Sequence, residues 1–324
     1  MSDPTPGPRT GTEPGPGDAT EVFVDHRELL FSLVYNMLGS VTDTEDVLQE
    51  TWLSWTARHE APDAERIESP RAYLVRIAVN KALSRRADIS RRRETYVGTW
   101  LPEPLVSTAD TPPPPDDGTA ERAERAESVS MAMLVVLETL SPLERAVFIL
   151  HEVFGYAHTE TARILDRSPA AVRQLAHRAR DHVQARRPRH RPDPLLHRRV
   201  TERFLDAVFG GDLAALMRLL APDVTLWADG GGKSPAAGPH PVHGRDNVAR
   251  LLISRASHRE GLEIAYRQVN GDPAAVLFSG DTPFAVMVLG LAPGGERISD
   301  IYNVANPDKL PPAGPGGAPA ERES

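Results

Sequence analysis

The sequence contains no cysteine, which removes disulfide frameworks, cysteine zinc sites and thiol catalysis from consideration. It has no run of about 18 apolar residues that would read as a membrane-spanning helix. Its first twenty residues, MSDPTPGPRTGTEPGPGDAT, lack the apolar core of a signal peptide. The expectation is a soluble, cytoplasmic protein. Lysine is also scarce: the 37 basic residues include only Lys81, Lys233 and Lys309. Abundant Arg, Ala, Pro and Gly point to a GC-rich genome as the simple cause, and that makes the positions of the three lysines worth following.

What is present is ordinary for a globular chain: 324 residues, 40% hydrophobic and 25% charged, with a net charge of −8. That length accommodates two or three domains. An acidic sum argues against nucleic acid as a partner, because phosphate neutralisation supplies most non-specific affinity. The argument fails once charge is resolved by segment. Residues 21–60 carry Glu21, Asp25, Glu28, Asp43, Glu45, Asp46, Glu50 and Glu60 against Arg27 and Arg58, a net of −6. Residues 71–93 are net +7 and residues 141–200 net +6.

Periodicity gives the organisation. Residues 1–20 read as a disordered tail, rich in Pro and Gly. A helical domain spans 21–93, with a helix stop at Gly39, a second helix from about Thr42, and a third opened by Ser69-Pro70 as N-cap and first turn. Residues 94–119, with WLPEP at 100–104 and prolines 112–115, read as a linker. A second helical domain spans 120–187, and 188–194 is another linker. From 195 to 310 two helices precede short strand runs interrupted by a helix at about 245–256, an α+β pattern. Residues 311–324 read as a second tail.

Two basic faces carry the chemistry. In 159–187 a short helix, a turn at Asp166–Ser168 and an amphipathic helix capped by Ser168 make a helix-turn-helix pattern. Arg173, Gln174, His177 and Arg178 lie on its outer face, where Arg and Gln suit guanine and adenine edges in the major groove. A solvated bundle face is the competing reading. On the helix from Arg71, the residues Tyr73, Arg76, Asn80 and Ser84 share a face followed by Arg85. Aromatic and amide groups beside arginines suit unstacked bases, and a surface helix with a core-packed Tyr73 fits those residues as well.

Residues 21–187 resemble the two domains of an extracytoplasmic-function (ECF) sigma factor of bacterial RNA polymerase. The motifs are FSLVYNMLGSVTDTEDVLQETWLSWTAR, SPRAYLVRIAVNKALSRR and LSPLERAVFILHEVFGYAHTETARILDRSPAAVRQLAHRAR. The resemblance implies two all-α sigma domains, the second a helix-turn-helix. It implies that Tyr73, Arg76, Asn80, Ser84 and Arg85 read and help melt the −10 promoter element. Ser168, Ala170, Ala171, Arg173, Gln174, His177 and Arg178 would read the −35 element. Asp43, Asp46, Gln49 and Glu50 would dock on the polymerase β′ clamp helices, with the β flap as the further polymerase contact. Tyr73 stands where Trp is more usual and Ser84 where Asp is common, which leaves the −10 sequence preference open.

Residues 195–310 resemble a SnoaL-like domain with the α+β cone fold of nuclear transport factor 2. WLPEP (Trp100, Leu101, Pro102, Glu103, Pro104), DGGGK (Asp229, Gly230, Gly231, Gly232, Lys233) and NPDKL (Asn306, Pro307, Asp308, Lys309, Leu310) look like the signature of the sigma-J-type group, ECF group 41. The resemblance implies that this extension regulates the sigma core, and WLPEP and NPDKL are expected to be part of one interface. DGGGK lacks the spacing of a phosphate-binding P-loop and also reads as a flexible turn. Asp229, His240, His243 and Tyr302 are candidate pocket residues, which keeps two alternatives open: a small-molecule ligand of the cone, and an isomerase or cyclase fused to a DNA-binding module. The principal reading has no catalytic residues, cofactor or metal. Its partners are core polymerase and promoter DNA, without a membrane.

Overall fold

The structure, a computed structural model, describes residues 16–61, 67–107, 129–185, 193–257 and 261–311. Helices α1 (Pro16–Leu38), α2 (Val41–His59) and α3 (Pro70–Glu94) pack together as the first unit. Gly39 ends α1 in the left-handed region at φ 69°, a conformation that costs glycine nothing. Ser40 then caps α2 by accepting from Asp43 N, and Ser69 caps α3 ahead of Pro70. The expected tail over 1–20 overlaps α1, which starts before Glu21. Ala19 is buried and its carbonyl accepts from Trp55 Nε1 at 2.8 Å, so the α1 start is anchored despite its Pro/Gly-rich neighbourhood. The remainder of that tail and residues 312–324 lie outside the described residues.

The second unit contains α4 (Met131–Leu137), α5 (Pro142–Phe148) continued by a π-helical turn at Ile149–Val153, α6 (His158–Leu165) and α7 (Pro169–Gln184). Ser141 and Glu144 form a reciprocal capping box at the α5 start. Asp166, left-handed at φ 51°, closes α6 and turns the chain into α7. The first two units share one core: Leu30, Leu33 and Val79 belong to the same apolar cluster as Leu134, Leu150 and Ala176.

The third unit holds α8 (Pro194–Phe209), α9 (Leu213–Leu219) and α10 (Arg245–Ala256) against a sheet. Its strands are β1 (Val106–Ser107), β2 (Leu220–Asp229), β3 (Val242–His243), β4 (Leu262–Val269), β5 (Asp272–Ser279), β6 (Thr282–Leu291) and β7 (Ile298–Val304). Their order is β1-β4-β5-β6-β7-β2-β3, antiparallel throughout except for the parallel β2/β7 pair. Alternation divides the sheet into two apolar faces. Ala275, Leu277, Ala285, Met287 and Leu289 face the helices. Val276, Phe278, Val286, Val288, Tyr302 and Val304 face outward, where Leu101 and Met131 cover them.

The stretch read as a linker, 94–119, is therefore structural over its first half. It leaves α3, crosses the third unit and donates β1, an edge strand pairing Val106 with Val269. Residues 108–119 of it, and 188–192 of the second linker, lie outside the described residues. Helix α4 sits between two cores, with Met131 on the outer sheet face and Leu134 and Leu137 in the helical cluster.

Candidate DNA, polymerase and interdomain surfaces

Helix α7 buries Val172, Ala176, Ala179 and Val183, so the 3.6-residue period turns Arg173, Gln174, His177 and Arg178 to solvent. Ser168 fixes the helix start by accepting from Ala171 N at 3.2 Å, and Ala170 beside it is exposed. Arg178 Nε donates to Glu144 at 2.8 Å and His177 pairs with Asp181 at 2.7 Å. These are surface contacts that a phosphate or base edge can replace at little cost. Burial, then His151, Arg173 and Arg180, lower the pKa of His158 beside this face.

On α3, Arg76, Asn80 and Ser84 are exposed and stacked along one side. Ser84 donates to Asn80 O at 3.2 Å, and Asn80 Nδ2 donates to Arg76 O at 2.8 Å and to Ile164 O of α6 at 3.3 Å. Tyr73 is half-buried against the core, its ring 5.9 Å from that of Trp55. Arg85 faces the acidic helix, 3.2 Å from Asp46 and 3.2 Å from Glu50. The expected −10 and polymerase sets are thus joined through Arg85. Within the acidic set Gln49 and Glu50 are exposed, whereas Asp43 is buried and receives Arg92 at 2.7 Å. Asp43 differs from its three companions in being buried within the first unit.

WLPEP, DGGGK and NPDKL meet at one seam. Asp229, 0% exposed, accepts from Leu101 N at 2.9 Å, Lys309 Nζ at 2.8 Å and Gly231 N at 3.1 Å, and it also accepts from Tyr96 OH. Lys309, 7% exposed, also donates to Leu101 O at 2.6 Å and lies 3.3 Å from the centroid of the Trp100 ring. A compact ammonium with three donors suits this pair of oxygen acceptors beside a ring face. Burial lowers the Lys309 pKa against the opposing pull of Asp229, and burial followed by Asp229 raises that of Tyr96. Asn306 Nδ2 donates to Tyr96 OH at 2.8 Å. Gly231, at φ 59°, has no room for a side chain: a Cβ there would fall 2.6 Å from Asn306 Cγ.

The strap continues onto the first unit. Glu103 N donates to Gly39 O at 2.9 Å, Glu103 Oε2 accepts from Val41 N at 2.7 Å, and Glu103 O accepts from Tyr35 OH at 2.6 Å. Asn270, left-handed in the β4–β5 turn, donates to the same Tyr35 oxygen at 2.8 Å and exchanges hydrogen bonds with the backbone of Leu105.

Residues 22–92 match the family model Sigma-70 region 2, residues 130–183 match Sigma-70, region 4, and residues 201–303 match the SnoaL-like domain. The ECF RNA polymerase sigma factor SigJ of Mycobacterium tuberculosis is 36% identical over 294 residues, covering 88% of this chain and 90% of SigJ. The chain belongs to the ECF sigma factors. The probable ECF RNA polymerase sigma factor SigI of the same species is 30% identical, covering 89% of this chain and 93% of SigI. The crystal structure of SigJ matches with a TM-score of 0.67 at 31% identity, covering 90% of this chain and 97% of that one. The expected architecture, two helical sigma domains followed by an α+β SnoaL-like domain, is the one found.

In this sigma factor the four candidate pocket residues do not converge. Asp229 is in the seam, Tyr302 is on the covered outer sheet face, His240 is exposed, and His243 contacts Thr225 Oγ1 at 3.1 Å. Sequence reasoning missed Tyr35, Tyr96, Glu138 and Asn270. Only Asn270 carried a local signal, the Asn-Gly pair favoured in tight hairpin turns. Among the described residues no helix is long and apolar enough to cross a membrane.

Proposed function

We propose that this sigma factor binds core polymerase through the α2 surface of Asp46, Gln49 and Glu50, against the β′ clamp helices, with region 4 meeting the β flap. Helix α7 reads the −35 duplex: Arg173, Gln174, His177 and Arg178 make the base and phosphate contacts, and Ser168, Ala170 and Ala171 form the close approach at the helix start. The α3 face of Tyr73, Arg76, Asn80 and Ser84, with Arg85, takes the opened −10 strand. The protein works by recruitment and binding energy, without catalysis of its own, beside the cytoplasmic polymerase.

The SnoaL-like domain tunes this activity by holding the WLPEP strap, and the observation that carries this part is Lys309, bonded at once to Asp229 and to Leu101 O. In vitro transcription with core polymerase tests it, comparing the full chain with truncations before Asn306 and before Leu195. The first releases the strap but keeps most of the domain, and the second removes the domain. The two should therefore differ from the full chain and from each other. Equal output from all three would overturn the regulatory reading, and no polymerase-dependent output from any would overturn the initiation reading.

A further inference from the structure

A second buried ionic cluster adjoins the seam at the boundary between region 2 and region 4, its Arg93 lying over the same Trp100 ring as Lys309. Glu138, at the C-terminal end of α4, faces three guanidinium groups. Arg86 and Arg93 come from α3 of region 2, and Arg145 comes from α5 of region 4. Arg86 Nη2 lies 2.9 Å from Glu138 Oε2, Arg145 Nη1 lies 2.5 Å from Oε1, and Arg93 Nη1 donates to Oε2. Across the same boundary Arg145 Nε donates to Asn36 O at 2.9 Å. Arg86 Nη1 donates to Met37 O at 3.3 Å within region 2. Arg145 is 1% exposed.

Three cations are ion-paired to one anion, with Asp43 pulling on Arg93 from outside the cluster. Arg93 Nε and Nη2 and Arg145 Nη2 are buried without a hydrogen-bond partner among the described residues. Burial by itself would raise the Glu138 carboxyl, yet Arg145, Arg86 and Arg93 together hold it far below the ordinary carboxylate range. Burial pushes the Arg145 guanidinium down to about 10 despite the opposing pull of Glu138, with Arg86 adding repulsion. One carboxylate therefore converts a mutually repulsive set of arginines into an attraction across the boundary.

This closed arrangement conflicts with the promoter-reading role. By their names the −10 and −35 elements are centred roughly 25 base pairs apart, about 85 Å of duplex at about 3.4 Å per pair. In the closed chain the two readers touch: Asn80 of α3 bonds Ile164 of the helix-turn-helix at 3.3 Å. Regions 2 and 4 must separate before both elements can be held.

We infer that Glu138 is an ionic latch holding region 2 against region 4, and that breaking its bonds to Arg86 and Arg93 lets the protein open to span a promoter. The inference rests on the promoter-spanning role proposed above. The WLPEP strap touches the latch at two points. Arg93 lies over the Trp100 ring at 4.5 Å. Gly39, whose carbonyl accepts from Glu103 N, packs so close to the carboxylate that a Cβ added to it would fall 3.3 Å from Glu138 Oε1.

The absence of native cysteine makes a direct test possible. Ala57→Cys and Gln184→Cys place dye sites on exposed positions of α2 and α7, and single-molecule energy transfer then reads the separation of the two regions in the full chain. The parent should show one short distance. Glu138→Gln should leave three buried cations unbalanced and shift the ratio of open to closed molecules by about 100-fold. Adding Arg86→Gln and Arg93→Gln to Glu138→Gln removes the repulsion and should restore much of the closed population, which simple loss of packing would not do. Retained helical circular dichroism separates opening from unfolding. A Glu138→Gln distance distribution like the parent's, or one that the two arginine substitutions fail to reverse, overturns the latch. Because the distance is measured without polymerase, failure of transcription in every variant would count against the initiation reading alone.

Discussion

The two buried ionic clusters of this sigma factor differ in how their charges balance. At the seam, one carboxylate, Asp229, meets one ammonium, Lys309, and neutral donors from Tyr96, Leu101 and Gly231 complete its shell. At the boundary between regions 2 and 4, Glu138 is the one carboxylate ion-paired to Arg86, Arg93 and Arg145 among the described residues. A charge-matched, fully bonded cluster loses its ion-pair attraction on separating, and rehydration only offsets that loss. An over-cationic cluster regains hydration for its arginines and relieves their mutual repulsion on opening. The contrast assigns different duties to two contacts of similar appearance: the seam binds the SnoaL-like domain to the strap, and the latch is the contact that gives way.

The largest effect that would break this comparison comes from Asp229→Ala. It strands the Lys309 ammonium beside Leu101 O and the Trp100 ring, and it orphans Tyr96 OH and Leu101 N. Removing one member of a buried pair costs about 3–5 kcal/mol, so chemical denaturation should show a loss of that size. Lys309→Met comes next. It leaves the carboxylate with three donors, which keep an ionised oxygen well solvated, and it replaces the ammonium with an apolar chain of similar length. A smaller loss, about 1–3 kcal/mol, is expected in the same measurement. If Lys309→Met costs as much as Asp229→Ala, the seam depends on its cation and the contrast with the latch fails.

How much of this was legible in the sequence follows the range of the interactions. The caps at Ser69 and Ser168, the stop at Gly39, the turn after Leu165 and the helix at 245–256 are local, and periodicity with capping chemistry exposes them. The α7 outer face was readable for the same reason. The fate of 94–107 was not, because proline-rich composition describes a chain by itself, whereas β1 exists through its pairing with β4. Glu138 stands in LETLSPLER with no feature to distinguish it from a surface acid, and its partners are 45 to 52 positions away in α3 and 7 away in α5. Asp43 shows the reverse case. It sits at the acidic-face spacing of Asp46 and Glu50, but the α2 turn buries it toward Arg92.

The two lysines that sequence scarcity brought together give the smallest and most discriminating prediction. Lys233 and Lys309 had equal standing as the cations of DGGGK and NPDKL, and each is ion-paired across those motifs. Lys233 meets Asp308 at 2.5 Å with its side chain 55% exposed, where water and salt screen the pair and holding a long side chain costs entropy. Lys233→Ala should therefore change stability by no more than about 1 kcal/mol, and 1 M salt should erase what difference there is. The Lys309→Met effect should survive the same salt, since its partners are buried. Equal losses for the two lysines would mean that the Lys233–Asp308 pair carries the seam as much as Lys309 does, and that burial is not what separates a structural lysine from an incidental one in this chain.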